Sequence, residues 1–450
     1  MNELVISEMK RVLELQKKKH IEEGPPSLEL RKDRLDRSIS MVKKYQDEII
    51  SALQDDFGNR DPVMSSATEV MSSIGPLENA KKNLAKWMKP EKRKLGGPMP
   101  GAGLLLSALG AKAKIEYQPK GTVGCISPWN FPVNLVMAPL GGILAAGNRV
   151  MIKPSEISSS TSDVIKTMFE EYFDEAEIAV FVGDPEVGAA FSSLPFDHLI
   201  FTGGTSIAKH VMKSASDNLV PLTLELGGKS PVIVGDDVEM ADVAQRVMQG
   251  KTMNAGQICL APDYALVPKD KVNDFVKESV NSVTSMYPEM KDNDDYTSII
   301  NQNHFERIQS YLDDAKSKGA ELVEINPNDE DFSQQPHHKI PPTLVLNPTE
   351  DMKIMQEEIF GPVLPIKPYE DLSETVEYVN SKERPLGLYY FGKNKKDQEY
   401  VLSNTTSGGV TVNDVISHIT QENLPFGGIG PSGMGSYHGH DGFKEFSHAK

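Results

Sequence analysis

The chain has 450 residues, with 47 lysines and arginines against 64 aspartates and glutamates, and a net charge of −17 at pH 7. Such an acidic surface repels phosphate backbones, which argues against non-specific binding of nucleic acid. Because only two cysteines are present, Cys125 and Cys259, a disulfide-stapled secreted scaffold and a structural zinc site are both excluded. At about 150 residues per domain, the length predicts two or three domains.

The two ends of the sequence carry no recognisable targeting signal. The N-terminal segment MNELVISEMKRVLELQKKKH is charged throughout, and the C-terminal EFSHAK has neither an apolar tail nor a lipidation motif. No stretch approaches about 18 to 20 uninterrupted apolar residues, the length that a membrane helix needs. We therefore expect a cytoplasmic protein without a membrane partner.

The first 110 residues predict helices followed by an irregular crossing. Residues 1–55 carry apolar side chains at helical spacing among charges, which predicts two or three amphipathic helices. A further helix is predicted through residues 84–88 and ends before Pro90. The Gly- and Pro-rich residues 95–110 predict a loop that crosses the surface.

From residue 111 onward, short apolar strands alternate with helices. The predicted strands are 113–117, 121–126, 149–152, 179–182, 198–201, 231–234, 264–267, 322–325, 344–346, 363–366 and 410–412. The predicted helices are 135–146, 157–173, 207–215, 240–253, 272–286, 303–318 and 372–380. This alternation predicts an α/β protein built from βαβ units, with a parallel sheet covered on both faces.

The segment NAGQIC, residues 254–259, ends on one of the two cysteines. A nucleophilic cysteine needs thiolate character, access to substrate, and N–H donors aimed at the oxyanion that it generates. A Gly-Gln-x-Cys turn at the end of a helix can supply the backbone N–H of Cys259 as one such donor. Considered alone, a single cysteine more often reflects packing of a small hydrophobe.

Two further motifs carry candidate chemistry. Glu225 in LELGGKSP (224–231) lies among apolar neighbours, where desolvation raises its pKa and suits it to act as a base near neutral pH. Asn130 in SPWNFP (127–132) can present its amide N–H to a developing oxyanion. The alternatives are a strand-end acid that faces solvent and an asparagine that satisfies a turn. The combination of the three motifs is more specific than any one of them.

Seven segments, in order and at matching spacing, resemble the aldehyde dehydrogenase superfamily. They are SPWNFP (127–132), KPSE (153–156), FTGGT (201–205), LELGGKSP (224–231), NAGQIC (254–259), EEIFGPV (357–363) and LPFGGIGPSGMG (424–435). KWMKPEKR (86–93), CLAPDY (259–264) and GSYHGHDGFKEFSH (435–448) resemble its class 3-like branch, which includes the coniferyl aldehyde dehydrogenases. The resemblance implies the α/β fold of that superfamily, with a Rossmann-type cofactor domain, an α/β catalytic domain and a small β oligomerisation flap.

The resemblance assigns roles to the three candidate residues. Cys259 is expected to attack the aldehyde carbon, and Asn130 and the Cys259 backbone N–H are expected to hold the oxyanion. After hydride transfer leaves a thioester, Glu225 is expected to activate the water that hydrolyses it. The ten histidines do not cluster at metal-ligand spacing, so no metal site is expected.

The cofactor expected from the resemblance is NAD, with NADP possible. Lys153 and Glu156 match contacts to the adenosine ribose, and a carboxylate there favours NAD because a 2′-phosphate would meet like charge. Gly203 opens a turn at a helix N-terminus, which suits a pyrophosphate. The sequence departs from the pattern at Gly204, usually Ser or Asn, and at Ala208, usually glycine. Both changes leave the affinity for the cofactor open.

The resemblance implies further residues at the nicotinamide end of the cofactor site and in the substrate tunnel. Glu358 and Phe360 match contacts to the nicotinamide ribose and ring, although a helix-end acid and a core aromatic fit these positions as well. Trp129 matches a cofactor-pocket position. Phe131 and Ile258 would line an apolar substrate tunnel, which suits an apolar or aromatic aldehyde.

The resemblance also implies domain boundaries and a dimer. Residues 1–110 and 123–226 are expected to form the NAD(P)-binding domain, and 227–418 the catalytic domain. Residues 111–122, which include a hairpin-like pattern at 113–121, and residues 436–450 match oligomerisation elements, because an exposed strand edge is a natural pairing surface. We expect a homodimer.

The leading functional hypothesis is NAD(P)-dependent oxidation of an aldehyde, with coniferyl or another aromatic aldehyde as the substrate. A medium- or long-chain fatty aldehyde is the close alternative. A dehydrogenase that passes the acyl group to a thiol cofactor is a second enzymatic alternative, and Glu225 argues against it because hydrolysis needs a base there. A non-catalytic relative is the third alternative, and retention of Cys259, Glu225 and Asn130 argues against it.

Overall fold

The computed structural model describes residues 2–97 and 99–450. Its helices are α1 (Asn2–Glu23), α2 (Leu28–Lys44), α3 (Gln46–Phe57), α4 (Pro62–Ser65), α5 (Ser72–Trp87), α6 (Ala102–Ala108), α7 (Asn134–Ala146), α8 (Ser159–Tyr172), α9 (Pro185–Ser192), α10 (Thr205–Ser216), α11 (Met240–Thr252), α12 (Val272–Met286), α13 (Gln302–Ser317), α14 (Lys353–Gln356), α15 (Leu372–Asn380), α16 (Lys395–Asn404) and α17 (Gly439–Glu445). Within the described ranges, no helix is both long and apolar enough to span a membrane.

The strands are β1 (Glu91–Arg93), β2 (Ala113–Ile115), β3 (Tyr117–Pro119), β4 (Thr122–Ile126), β5 (Arg149–Lys153), β6 (Ile178–Val180), β7 (His198–Thr202), β8 (Leu222–Glu225), β9 (Pro231–Val234), β10 (Tyr264–Pro268), β11 (Glu321–Glu324), β12 (Thr343–Leu346), β13 (Val363–Tyr369), β14 (Gly387–Phe391), β15 (Gly409–Val412), β16 (Gly433–Met434) and β17 (Ser447–Ala449). A π-helical segment, Ser66–Met71, joins α4 to α5.

Two larger sheets organise the molecule, and most of their strand pairs are parallel, as the alternating pattern predicts. One has six strands in the order β16-β8-β7-β4-β5-β6, and only β16 runs antiparallel to its neighbour. The other has seven strands in the order β11-β12-β13-β10-β9-β14-β15, with only the β11–β12 pair antiparallel. Strands such as β9 and β10 are buried along their whole length, which is why their sequences read as continuous apolar runs.

The N-terminal helices cover the six-stranded sheet rather than forming a separate unit. α2, α3 and α5 share one hydrophobic cluster with α7, α8 and the strand residues Val123, Cys125 and Ile200. Three helices between residues 2 and 57 agree with the predicted two or three. The helix predicted at 84–88 is the end of α5, which begins at Ser72 directly after the π-helical segment.

The prediction of a loop over residues 95–110 is partly wrong. The leucine-rich residues 102–108 form α6, which begins after Gly101 at a φ of 82°. None of its residues is buried, so the glycines and prolines around it dominate the sequence pattern and conceal a short surface helix.

The hairpin-like pattern at 113–121 does not form a hairpin with itself. β2 pairs with β1, and β3 pairs antiparallel with β17, the last strand of the chain. The chain changes partner at Glu116, whose backbone N–H and carbonyl both bond to Lys450. The C-terminal residues therefore complete a two-stranded sheet with β3.

Candidate active site

The carboxyl ends of four parallel strands meet at one edge of the six-stranded sheet. β4 runs into the segment that holds Trp129 and Asn130, β5 ends at Lys153, β7 leads to Gly203, and β8 ends at Glu225. The strand order reverses at β4, which pairs with β5 on one side and β7 on the other. Ligands of open α/β sheets bind outside the carboxyl ends of the strands at such a point.

The amino ends of two neighbouring strands of the seven-stranded sheet hold the other predicted residues. Cys259 precedes β10, and Glu358 and Phe360 precede β13; β10 and β13 are parallel and adjacent. Glu358 lies close enough for its charge to act on the Cys259 thiol. The nucleophile segment and the 358–360 turn therefore share one edge.

A strained turn presents the Cys259 side chain. Asn254 and Ala255 have φ values of 50° and 51°, and Gly256 follows at 73°. The left-handed region is unfavourable for residues with a Cβ, so surrounding contacts must hold this turn. A Cβ on Gly256 would collide with the carbonyl oxygen of Gly361, which restricts that position to glycine. Cys259 itself is partly exposed.

Gln257 holds this turn through three hydrogen bonds of its buried side chain. Its Nε2 donates to the carbonyls of Asn254, at 2.9 Å, and Ser298, at 3.0 Å. Its Oε1 accepts from the N–H of Ile300 at 3.0 Å. An amide side chain with both ends engaged fixes the backbone that leads to Cys259.

Asn130 lies directly against the nucleophile segment. Its Nδ2 donates to the carbonyl oxygen of Gln257 at 3.0 Å, and its own carbonyl accepts from Asn254 Nδ2 at 3.3 Å. A side-chain amide nitrogen carries two N–H groups, so one remains for a ligand. The structure thus brings together the two predicted oxyanion donors, Asn130 and the Cys259 backbone.

Glu225 is a buried carboxylate without a hydrogen-bond partner. The residue is 2 % exposed, and among the described residues neither carboxylate oxygen accepts a hydrogen bond. Burial raises its pKa well above the ordinary value for glutamate, and the charge of Glu445 raises it further. Its carbonyl accepts from the N–H of Gly203 at 3.0 Å, which ties the predicted base to the predicted phosphate turn.

The Cys259 thiol is neutral in this environment. Burial raises its pKa, and the charges of Glu358 and Glu225 add to the increase, while the N–H groups of Cys259 and Leu260 act in the opposite direction. A proton acceptor is therefore needed to generate the thiolate, and Glu225 lies within electrostatic range.

Cys125 is 2 % exposed on β4, and burial raises its pKa to about 12.

Glu358 and Phe360 face Gly227 and Trp129. A Cβ on Gly227 would collide with the Glu358 carboxylate, so this glycine admits the acid. Burial raises the pKa of Glu358 to about 8, with Asp263 adding to the effect. The ring of Phe360 meets Trp129 edge-on at 5.4 Å between centroids, and Phe360 has a φ of 47°.

The predicted ribose and pyrophosphate residues lie at the ends of β5 and β7. Lys153 is buried, and its Nζ donates to the Pro154 carbonyl at 2.8 Å and to Glu156 Oε2 at 3.4 Å. Glu156 is exposed. α10 begins after Gly204 without a side-chain cap, and a Cβ on Gly204 would meet no atom within 4 Å. Ala208 packs within a hydrophobic cluster, so the helix accommodates its methyl group.

Of the expected tunnel residues, Phe131 follows Asn130 in the sequence and Ile258 precedes Cys259. Phe131 is partly buried beneath the Arg60 guanidinium, 5.1 Å from its ring centroid. Ile258 is buried next to Cys259 and belongs to the hydrophobic cluster that Phe131 packs against.

Within residues 2–97 and 99–450, no group of three or more His, Cys, Asp or Glu side chains is arranged to hold a metal ion.

The sequence-based prediction missed a buried ion pair that supports this edge. Arg60 Nη2 lies 3.0 Å from Glu69 Oε1, and both side chains are fully buried. Arg60 Nη1 donates to the Asn130 carbonyl at 3.1 Å, and Glu69 Oε2 accepts from the N–H groups of Val133 and Asn134. In the sequence, Arg60 and Glu69 are two charged residues among helices with apolar faces, and this pattern is too weak to identify them as a pair.

A comparison with protein families matches residues 17–450 to the aldehyde dehydrogenase family. The chain is 59% identical over 442 residues to a protein of Caulobacter vibrioides named "Probable coniferyl aldehyde dehydrogenase", covering 98% of this chain and 90% of that protein. It is 52% identical over 438 residues to the "Coniferyl aldehyde dehydrogenase" of Pseudomonas sp. strain HR199, covering 97% and 89%.

Solved structures of this family share the fold. The structure described as the substrate-bound state of Staphylococcus aureus AldH has a TM-score of 0.90 and 36% identity, over 98% of this chain and 92% of that one. Betaine aldehyde dehydrogenase of the same organism, in complex with NAD+, has a TM-score of 0.85 and 26% identity, over 98% and 86%. The expected α/β fold is therefore confirmed.

Proposed function

The chain belongs to the aldehyde dehydrogenase family, and we propose that it oxidises coniferyl aldehyde, or a similar aromatic aldehyde, to the carboxylic acid with NAD. The observation that carries this proposal is the 59% identity, over nearly the whole chain, to a protein named for that reaction. The buried, unpartnered Glu225 next to the Cys259 loop supports it.

The first step assigns the covalent chemistry to Cys259. The Glu225 carboxylate accepts the thiol proton and passes it to solvent water, the sulfur bonds to the aldehyde carbon, and the carbonyl electron pair moves onto oxygen. Asn130 Nδ2 and the Cys259 backbone N–H are the donors for that oxygen, because Asn130 is held against the nucleophile segment at Gln257. Loss of hydride from the adduct then leaves a thioester on Cys259.

The second step assigns hydrolysis to Glu225. A water oxygen bonds to the thioester carbon, one water proton passes to the Glu225 carboxylate, and the C–S bond breaks with its electron pair returning to sulfur. A carboxylate without hydrogen-bond partners and with a raised pKa is a suitable acceptor for that proton. The same residue favours release of a free acid over transfer to a thiol cofactor.

The residues at the strand ends fit a nicotinamide dinucleotide, which supplies the hydride acceptor when bound. The uncapped N-terminus of α10 offers N–H groups to a pyrophosphate, next to the open space at Gly204. Lys153 and Glu156 would hold the adenosine ribose, and Glu358 the nicotinamide ribose. Phe360 and Trp129 would border the nicotinamide ring. Glu156 favours NAD because its charge repels a 2′-phosphate.

The proposed organisation follows the sheets. Residues 1–110 and 123–226 would bind the cofactor, and 227–418 would carry the catalytic cysteine. Residues 111–122 and 436–450 would mediate a homodimer, since β3 and β17 form a two-stranded sheet with free edges among the described residues. Phe131 and Ile258 would line the approach of the aldehyde to Cys259.

The test is a panel assay of NADH formation with coniferyl aldehyde, benzaldehyde and a medium-chain aliphatic aldehyde, combined with analysis of the organic product. We expect the highest kcat/KM with an aromatic aldehyde, a free carboxylic acid as product, and loss of turnover in Cys259→Ala. Wild-type kcat in Cys259→Ala would overturn the mechanism, and preference for the aliphatic aldehyde would overturn the substrate assignment.

A further inference from the structure

A directed series of hydrogen bonds starts at Lys120 and ends on a second carboxylate, that of Glu445. Lys120 Nζ lies 3.0 Å from His198 Nδ1, and His198 Nε2 lies 2.8 Å from Thr223 Oγ1. Thr223 Oγ1 in turn donates to Glu445 Oε1 at 2.6 Å. The sequence motifs did not include Lys120, His198 or Thr223, and they assigned no role to Glu445, which lies in the segment 435–448.

The residues at the two ends of this hydrogen-bonded series, Lys120 and Glu445, determine the direction of its bonds. A lysine ammonium group can only donate and an ionised carboxylate can only accept, so Lys120 donates to His198 Nδ1. The proton of the neutral imidazole is then on Nε2 and is donated to Thr223, whose hydroxyl proton points at Glu445. Burial lowers the pKa of His198 to about 3, which keeps the ring neutral. Glu445 is therefore held as the acceptor of a fully engaged chain.

The hydrogen-bonded residues His198 and Thr223 lie on the same face of the sheet as Glu225. Thr223 and Glu225 are alternate residues of β8, so their side chains project to the same side, about 7 Å apart along the strand. On the neighbouring strands, His198 lies on that face of β7, and Gly433 of β16 lies opposite Glu225 and has no side chain. A Cβ on Gly435 would lie 2.5 Å from Glu445 Oε1 and 3.2 Å from Thr223 Oγ1, so Gly435 leaves room for the contact.

We propose that Glu445 is a positioning residue for hydrolysis: held by Thr223, its negative charge keeps Glu225 an effective acceptor of the proton from the attacking water. This inference rests on the proposed role of Glu225 as the base. Glu445 does not touch the reacting atoms, and it acts through Glu225 alone. Two carboxylates in one site disfavour ionisation of both, which strengthens the remaining proton acceptor.

Among the described titratable groups around Glu225, Glu445 is the charged one that shifts the pKa of Glu225. The nucleophile segment contributes Cys259, and the segment after β16 contributes Tyr437; both have pKa values raised by burial and are neutral. β7 contributes the neutral His198, and the described residues of β16 contribute no titratable group. α17 contributes Glu445, whose charge raises the pKa of Glu225.

The decisive variant is Glu445→Gln, which keeps an oxygen for the Thr223 hydroxyl and removes the charge. The measured quantity is the rate constant for acid release in a single turnover, as a function of pH. We expect the acidic limb of this profile to move to lower pH, with KM for NAD and aldehyde unchanged. Asp441→Asn is the matched control, since it removes one exposed acid from the same helix and should leave the limb in place.

A second pair of variants covers the case in which Glu445→Gln does not fold. Thr223→Val removes the hydroxyl that holds Glu445 and should move the limb in the same direction, whereas Thr223→Ser should restore the wild-type profile. An unmoved limb in Glu445→Gln, or the same movement in Asp441→Asn, would overturn the inference. If Glu225→Gln hydrolyses the thioester normally, the role of Glu225 itself fails; if it stalls while Glu445→Gln leaves the limb unchanged, only the role of Glu445 fails.

Discussion

Asn130 Nδ2 donates to the carbonyl oxygen of Gln257 at 3.0 Å, two residues before Cys259. This bond joins the end of a strand in the six-stranded sheet to the loop before a strand in the seven-stranded sheet. The two oxyanion donors of the proposed mechanism therefore keep their separation because one is bonded to the backbone that carries the other. Preorganised donors of this kind contribute strongly to catalysis.

Replacing Asn130 should impair the chemical step far more than the fold. In Asn130→Ala we expect kcat to fall by about 10²- to 10³-fold, the usual effect of losing one oxyanion donor. Steady-state kinetics and a thermal unfolding midpoint for each protein provide the measurement. Asn130→Asp keeps the size of the side chain but replaces a donor with an acceptor, and it should be equally impaired. Near-normal kcat in Asn130→Asp would argue that Asn130 does not bind the oxyanion.

The buried Arg60–Glu69 pair should be essential for stability. Arg60→Met leaves the Glu69 carboxylate buried without its partner, which typically costs about 3 to 5 kcal/mol. Glu69→Gln should cost less, because its side-chain oxygen still accepts from the N–H groups of Val133 and Asn134. The thermal midpoint of each variant is the readout.

The control for this experiment is a surface pair. Arg246 and Asp414 lie 3.5 Å apart with side chains 52% and 37% exposed, so Arg246→Met should leave the midpoint nearly unchanged. Equal midpoints for Arg60→Met and Arg246→Met would contradict a structural role for the buried pair.

The environment of Glu358 predicts a specific pH dependence of stability. Its pKa of about 8 in the folded protein exceeds the ordinary value of 4.5, so the folded state holds a proton that the unfolded state has lost between these pH values. Its contribution is therefore lost as pH rises through this window. We expect the thermal midpoint of Glu358→Gln minus that of wild type to increase from pH 5 to pH 8. A difference that is constant with pH would show that burial does not shift this carboxyl.

Cofactor selectivity should depend on Glu156. Removing its charge in Glu156→Gln should lower the preference for NAD over NADP, measured as the ratio of kcat/KM values, by about tenfold, or ~1.4 kcal/mol. Glu170→Gln, at an exposed acid on α8, is the charge-matched control and should leave the ratio unchanged. If the ratio stays constant in Glu156→Gln as well, discrimination of the 2′-position lies elsewhere.

The sequence was sufficient for the parallel sheets and for the motifs around Cys259, Glu225 and Asn130, because strand periodicity and these motifs are local signals. It could not identify the partners of these residues. Arg60 contacts Asn130 across 70 positions, and Thr223 contacts Glu445 across 222. Such pairs exist only after the sheets form, and a single sequence carries no trace of them.

Short elements were also beyond the sequence signal. α17 has seven residues and a glycine at each of positions 439 and 442, a composition that predicts a turn. Its packing against α7 and α5 stabilises it as a helix, and it is this helix that carries Glu445. Tertiary contacts therefore override the low helix propensity of α17 and place Glu445 next to Thr223.

The central claim is that Cys259 carries a thioester that Glu225 helps to hydrolyse, and trapping that thioester tests it most directly. Glu225→Gln enzyme is mixed with NAD and coniferyl aldehyde, quenched in acid, and analysed by intact mass and peptide mapping. With only two cysteines in the chain, buried Cys125 serves as an internal control. We expect one acyl group on the peptide that contains Cys259, together with a burst of about one NADH per site and slow turnover thereafter. Undiminished steady-state turnover without an acyl group on Cys259, or an acyl group on Cys125 instead, would contradict the account.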